Sequence, residues 1–231
     1  MSHLDIATFQ KPGLYLLLPN GERIDLTRQE IESRARVMLE DPDRIPAHMR
    51  AAVDYKPCDI CPDREAAEIC HAVLTTVPFG YEVGHFMSYD KVTAVFRDEH
   101  SEVLIVRDTT MQQALQYISI LSVIYYCEVG KKYSTFFEGV NPIMPQSHIA
   151  NIVLQNLYLS CKGNLPALES TLNTMQEELM QTVRCQMKRL QLICKGDAFL
   201  NAFVNTENTT ELMLLAVREQ AAELADEAES L

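Results

Sequence analysis

Two cysteines three positions apart form the sharpest chemical signal in the chain, within Lys56-Pro57-Cys58-Asp59-Ile60-Cys61-Pro62. A tight turn between such a pair brings both sulfurs to one ion, and two further nitrogen or sulfur donors complete tetrahedral zinc. Prolines on either side stiffen that turn. Cys70 and His71 are the nearest additional donors. Cys58, Cys61 and Cys70 are therefore the expected metal ligands, with zinc as the expected ion. If a continuous helix begins at Pro62 or Asp63, Cys70 lies ~12 Å along its axis from Cys61, too far for one zinc. Cys70 then joins only if the loop folds back, or if a bulkier iron–sulfur cluster spans the gap. Cys127, Cys161 and His148 are more distant candidates. Cys127 and Cys161 end two uncharged segments, which can bring them near each other.

Two other readings of the same residues stand beside the metal. A thiol at a helix N-terminus has a lowered pKa, which suits Cys58 and Cys61 to redox exchange. Cysteines also pack simply as small apolar residues. Cys185 and Cys194, inside a long amphipathic segment, are read in that way.

Elsewhere the chemistry is sparse. Arg184, Lys188, Arg189 and Lys195 form a basic stretch that no acidic residue interrupts from Leu179 to Gly196. It can hold an anion or an acidic partner, or compensate the dipole at a helix C-terminus. Gly130-Lys131-Lys132 lacks the glycine spacing of a phosphate loop. No Gly-x-Gly-x-x-Gly, Gly-x-Ser-x-Gly or His-Glu-x-x-His occurs. His85 near Tyr81 and Tyr89 reads as a packing histidine, and no nucleophile has an evident orienting pair.

Composition narrows the function classes. The chain has 231 residues, 47% of them apolar, and a net charge of −12. That length and apolar share suit a sizeable core. The negative field disfavours nucleic acid and anionic membranes. Seven cysteines, an odd number, and no basic-then-apolar leader in the first residues point to reduced thiols and a cytoplasmic setting. The charge-free stretch Thr109 to Cys127 has a densely apolar part of 14 residues (Ala114 to Cys127), the length of a buried core helix rather than a membrane span.

The elements that must position the cysteines follow from periodicity. Leu14 to Leu18, the turn Pro19-Asn20-Gly21 and Arg23 to Leu26 read as a hairpin. Thr27 and Glu30 have capping-box spacing for a helix that Asp41-Pro42 ends. Lys91 to Arg97, a turn at Asp98-Glu99-His100, and Glu102 to Arg107 read as a second hairpin, followed by a helix capped at Asp108, Thr109 or Thr110. This repeated strand, turn, strand and capped helix is a weak internal echo. Beyond it the pattern is helical: Met111 to Cys127, then a loop from Lys131 to Gln146, and Ser147 to about Cys161. A long amphipathic helix from Asn164 to about Cys194 follows, with a Leu/Met stripe at three- and four-residue steps. A short helix Asp197 to Val204 and a last helix, capped at Thr209 or Thr210 and running from Glu211 to about Ala228, complete the chain.

The expected fold is α+β, with small antiparallel hairpins and a mostly helical C-terminal bundle. The expected divisions are 1–45, a hairpin-plus-helix unit; 46–78, a cysteine-containing linker; and 79–231, a hairpin followed by the bundle. Without a catalytic constellation or basic footprint, the function expected is a non-enzymatic accessory protein. It would carry a small structural zinc site and dock to a protein partner in a larger cytoplasmic assembly. The alternative is a thiol-redox or iron–sulfur protein using Cys58 and Cys61.

Overall fold

In the computed structural model, which describes residues 6–56, 58–65, 69–99 and 103–229, both hairpins join one four-stranded antiparallel sheet in the order β2-β1-β3-β4. The first hairpin is β1 (Gly13–Leu17) and β2 (Arg23–Thr27); the second is β3 (Lys91–Arg97) and β4 (Leu104–Thr110). Gly21 turns the first hairpin at φ +88°, a conformation L side chains rarely adopt. The turn at Asp98-Glu99-His100 and the strand start at Glu102 fall partly outside the described residues.

Strand alternation divides the sheet into two faces. Leu14 and Leu16 of β1 lie opposite Phe96 and Ala94 of β3, and all four are buried in the main core. Tyr15 and Val95, one residue along, pack with Phe9 on the other face. Gly13, where β1 begins, has φ +128°, and a Cβ there would meet Thr27 Cα at 2.5 Å. Only glycine allows the two strands to approach so closely.

Helices cover the main-core face, giving an α+β fold with a helical C-terminal region. Thr27 Oγ1 accepts from Glu30 N at 3.3 Å and starts α1 (Arg28–Glu40), and Thr110 caps α5 (Met111–Ile120) through Gln113 N. Asn164 caps α7 (Leu165–Leu190) through Ala167 N. These caps stand where the sequence signals place them. α6 (Gln146–Ser160) closes the bundle. No helix among the described residues is long and apolar enough to cross a membrane.

Three stretches differ from the sequence reading. The short and last helices are one helix, α8 (Ala198–Glu229). Thr206 and Thr209 donate to the carbonyls of Ala202 and Asn205, four residues back, so the threonines sit inside the helix rather than starting one. The side chains of the acidic end of α8 lie outside the described set. The expected loop after Gly130 contains a 3₁₀ helix, Gly130–Phe137. The helix expected to reach Cys127 widens after Ile120 into a π-helical stretch, Leu121–Tyr126.

The linker carries three short helices: α2 (Ala47–Val53), α3 (His71–Leu74) and, at its junction with β3, α4 (Gly80–Val83). Met38, Ile45, Met49, Val53, Leu74 and Val77 form a small apolar cluster of their own. Arg189 of α7 ties this cluster to the bundle. Its side chain is 1% exposed, and its guanidinium donates to the carbonyls of Ala52, Val53 and Lys56 at 3.1 to 3.3 Å. Arg189 is thus a buried brace and not a member of a surface basic stretch. Arg184, Lys188 and Lys195 remain exposed.

Candidate functional site

The linker delivers its cysteines through turns rather than through a helix. Cys61 N donates to Cys58 O at 3.1 Å, and Arg64 N donates to Cys61 O at 3.3 Å. Residues 62–65 are turn, not helix, so the straight path that would separate Cys61 from Cys70 is not taken. Cys70 immediately precedes α3, its carbonyl accepting from Val73 N at 3.1 Å. Cys61 and Cys70 lie close enough for Cys70 to oppose ionisation of Cys61, beside the larger effect of burial.

Two further cysteines reach the same place from the bundle. Cys127 ends the π-helical stretch in an extended conformation and packs with Ala72, Val129, Ile60 and Cys70. Cys185 lies on the buried face of α7, its sulfur 4.0 Å from the Lys56 carbonyl. Cys58 donates its S–H to Cys185 and also feels Cys127 and Cys70. The sequence reading of Cys185 as a packing residue is thereby corrected, because its neighbours are sulfur and guanidinium. Cys161, expected near Cys127, packs instead against the main core, as does Cys194, whose sulfur touches Gly84. His71 and His148 are both exposed.

Burial disfavours thiolates at most of these sulfurs, and a few hydrogen-bond donors work against it. The backbone N–H of Asp63 donates to Cys61, and those of Val129 and Gly130 donate to Cys127. Gln186 Nε2 lies 3.8 Å from Cys70 Sγ. The hydrogen bond from Cys58, supported by Arg189 and Lys188, brings the Cys185 thiol down to about 6. Burial opposes these bonds elsewhere: it pushes Cys61 up, and Cys127 up to about 11. The Cys58 thiol is held protonated by its bond to Cys185 and by burial. Cys185 is thus the sulfur that its neighbours push toward ionisation, while burial pushes Cys58, Cys61 and Cys127 the other way.

Local backbone geometry explains how Cys127 comes to receive its two N–H groups. A Cβ at Gly130 would stand 1.7 Å from Val123 O, so only glycine lets the turn after Cys127 fold back onto the π-helical stretch. Ser122 Oγ donates to Ala72 O at 2.8 Å and ties that stretch to α3, which follows Cys70.

The donor chemistry suits a thiophilic metal: Cys58, Cys61, Cys70 and Cys127 are four sulfurs, two of them already wrapped by backbone N–H groups. Among the described residues, however, no three His, Cys, Asp or Glu side chains stand close enough together, as placed, to hold a single ion. Nothing in the comparisons with known proteins supplies a precedent, since the chain matches no family model, no curated protein and no solved structure.

Proposed function

We propose that this chain is a non-enzymatic accessory protein in which Cys58, Cys61, Cys70 and Cys127 hold a thiophilic metal centre that fastens the linker to the helical bundle. The observation that carries the reading is the arrival of these cysteines from three separated stretches of chain, with backbone N–H groups aimed at two of the sulfurs. A cation removes the penalty that burial imposes on their ionisation, because it replaces the lost hydration of each thiolate. When bound, the centre supplies a crosslink between the linker, the N-terminus of α3 and the end of the π-helical stretch. Cys185 stands outside this set as a fifth sulfur, beside Cys58 and Arg189.

Zinc requires all four sulfurs at ~2.3 Å from one point. Half-buried Cys61 and Cys70 would have to turn inward to provide that. An iron–sulfur cluster accepts cysteines that are farther apart than the ligands of one ion. It is the second reading, favoured by the lack of a close trio of donors among the described residues. The accessory half of the proposal, docking to a protein partner in a cytoplasmic assembly, draws on an apolar groove of about 370 Å³ beside the linker. Val37, Met38, Ile45 and Met49 line it, and Val37 is 60% exposed.

The deciding experiment is elemental analysis and a visible spectrum of protein purified without oxygen, with Cys61→Ser and Cys127→Ser as controls. One colourless zinc per chain, lost in both variants, is the expected result. A brown protein with iron and acid-labile sulfide selects the cluster. Metal-free protein with a reversible Cys58–Cys185 disulfide overturns the metal and leaves thiol exchange.

A further inference from the structure

A sizeable cleft lies away from the cysteines. It measures about 700 Å³ and opens between the start of β1, the end of β3, the α5 and π-helical stretch, and the loop Glu138 to Pro142. Its walls include the Phe96 ring, Leu121, Phe137 and Val140. The Tyr117 side chain lines it too, packed edge-on against Phe96 with ring centroids 5.7 Å apart. Tyr117 is only 6% exposed, and its hydroxyl, which bonds to no other described residue, is not sealed away from solvent. A tyrosine buried to that degree ordinarily satisfies its hydroxyl. Its neighbour in the cleft, Tyr125, does so by donating to Phe137 O at 3.3 Å.

The charges around the cleft select against an anion. Arg28 is committed to Glu32 and Glu99, and an Arg97 N–H to the carbonyl of Phe9. Asp98, Glu99 and Glu138 outnumber the two arginines in the lining. Burial pushes the Tyr117 phenol up, so it stays a neutral donor at physiological pH. An apolar, partly aromatic wall with one unmet hydroxyl and a net negative lining is a site for a small molecule, not for a phosphate or carboxylate.

We infer that this cleft binds a neutral aromatic small molecule carrying one hydrogen-bonding group, which meets the Tyr117 hydroxyl while its ring packs against Phe96 and Leu121. This site is independent of the cysteine pocket and stands whether or not that pocket holds a metal.

The test is a fluorescence or ligand-observed NMR titration of the full chain with 1-naphthol, beside 1-naphthoate, an anion with the same ring system. Saturable 1-naphthol binding is expected, with 1-naphthoate weaker by about tenfold because it meets the carboxylates of the lining. Tyr117→Phe keeps the ring and should weaken 1-naphthol by about fivefold, the loss of one hydrogen bond. Val140→Trp, in the loop, should fill the space and abolish binding. Non-saturable binding, equal affinity for the anion, or an unchanged affinity in Tyr117→Phe overturns the inference. If Val140→Trp does not fold by circular dichroism, the anion and Tyr117→Phe arms decide alone.

Discussion

In the main core, α5 is buried on almost every side, and Met111, Ala114, Leu115 and Ile118 are sealed against the sheet and α8. The linker cluster around Met49 and Val53 is held differently. Its helices are short, and a buried guanidinium and a group of sulfurs complete the assembly. The contrast shows two ways of stabilising a chain. The core gains from area removed from water, which is non-directional and tolerates small shifts. The linker depends on directed contacts to backbone carbonyls and sulfurs, where one missing partner leaves several polar groups buried and unsatisfied.

The largest expected effect breaks the core side of this comparison. Leu115→Ala should lower the unfolding free energy by about 3–5 kcal/mol. Chemical denaturation should show it as a lower midpoint with an unchanged slope. Arg189→Met should cost less, about 2–3 kcal/mol, because it removes the donors to Ala52, Val53 and Lys56 while keeping apolar bulk. Its signature should be local. Hydrogen exchange should rise across 47–56 while α5 and α8 retain their protection. Equal loss of protection in both regions would show that the linker and the core form one cooperative unit.

The smallest effect at neutral pH comes from Cys194, a half-buried thiol outside the cysteine pocket. Burial alone pushes it up to about 12. In the unfolded chain a thiol titrates near ~8.5. The native state therefore holds its proton while the unfolded state releases it. That contribution is fully present below about pH 8.5 and is lost as pH rises through about 12. Cys194→Ala should leave stability at pH 7 nearly unchanged in its pH slope and flatten the decline between pH 9 and 11. An identical slope in the variant would place the titration elsewhere.

Much of the fold was legible because its signals are local. Thr27 with Glu30 and Asn164 with Pro166 each mark a helix start within four residues, and the Leu/Met stripe of α7 is visible from its spacing. The break expected before Glu211 was misleading, since a threonine such as Thr209 can either cap a helix or bond back within one, as it does to Asn205 O. Packing against α5, including the contact of Ser119 Oγ with Thr206 Oγ1 at 2.6 Å, selected the second option. The candidate site was only half legible. Cys58, Cys61 and Cys70 announce themselves by proximity in the chain, whereas nothing local distinguishes Cys127 or Cys185 from any other cysteine on an apolar helix.

Sequence alone determined the hairpins, most of the helix starts, the buried character of α5 and the turn at Cys58 and Cys61, because each rests on interactions among residues within a few positions. Only the tertiary structure decided that β1 joins both hairpins into one sheet, that Arg189 is a buried brace, and which distant sulfurs meet the linker. Those outcomes depend on which helix face meets which partner, and periodicity identifies an apolar face without specifying what covers it.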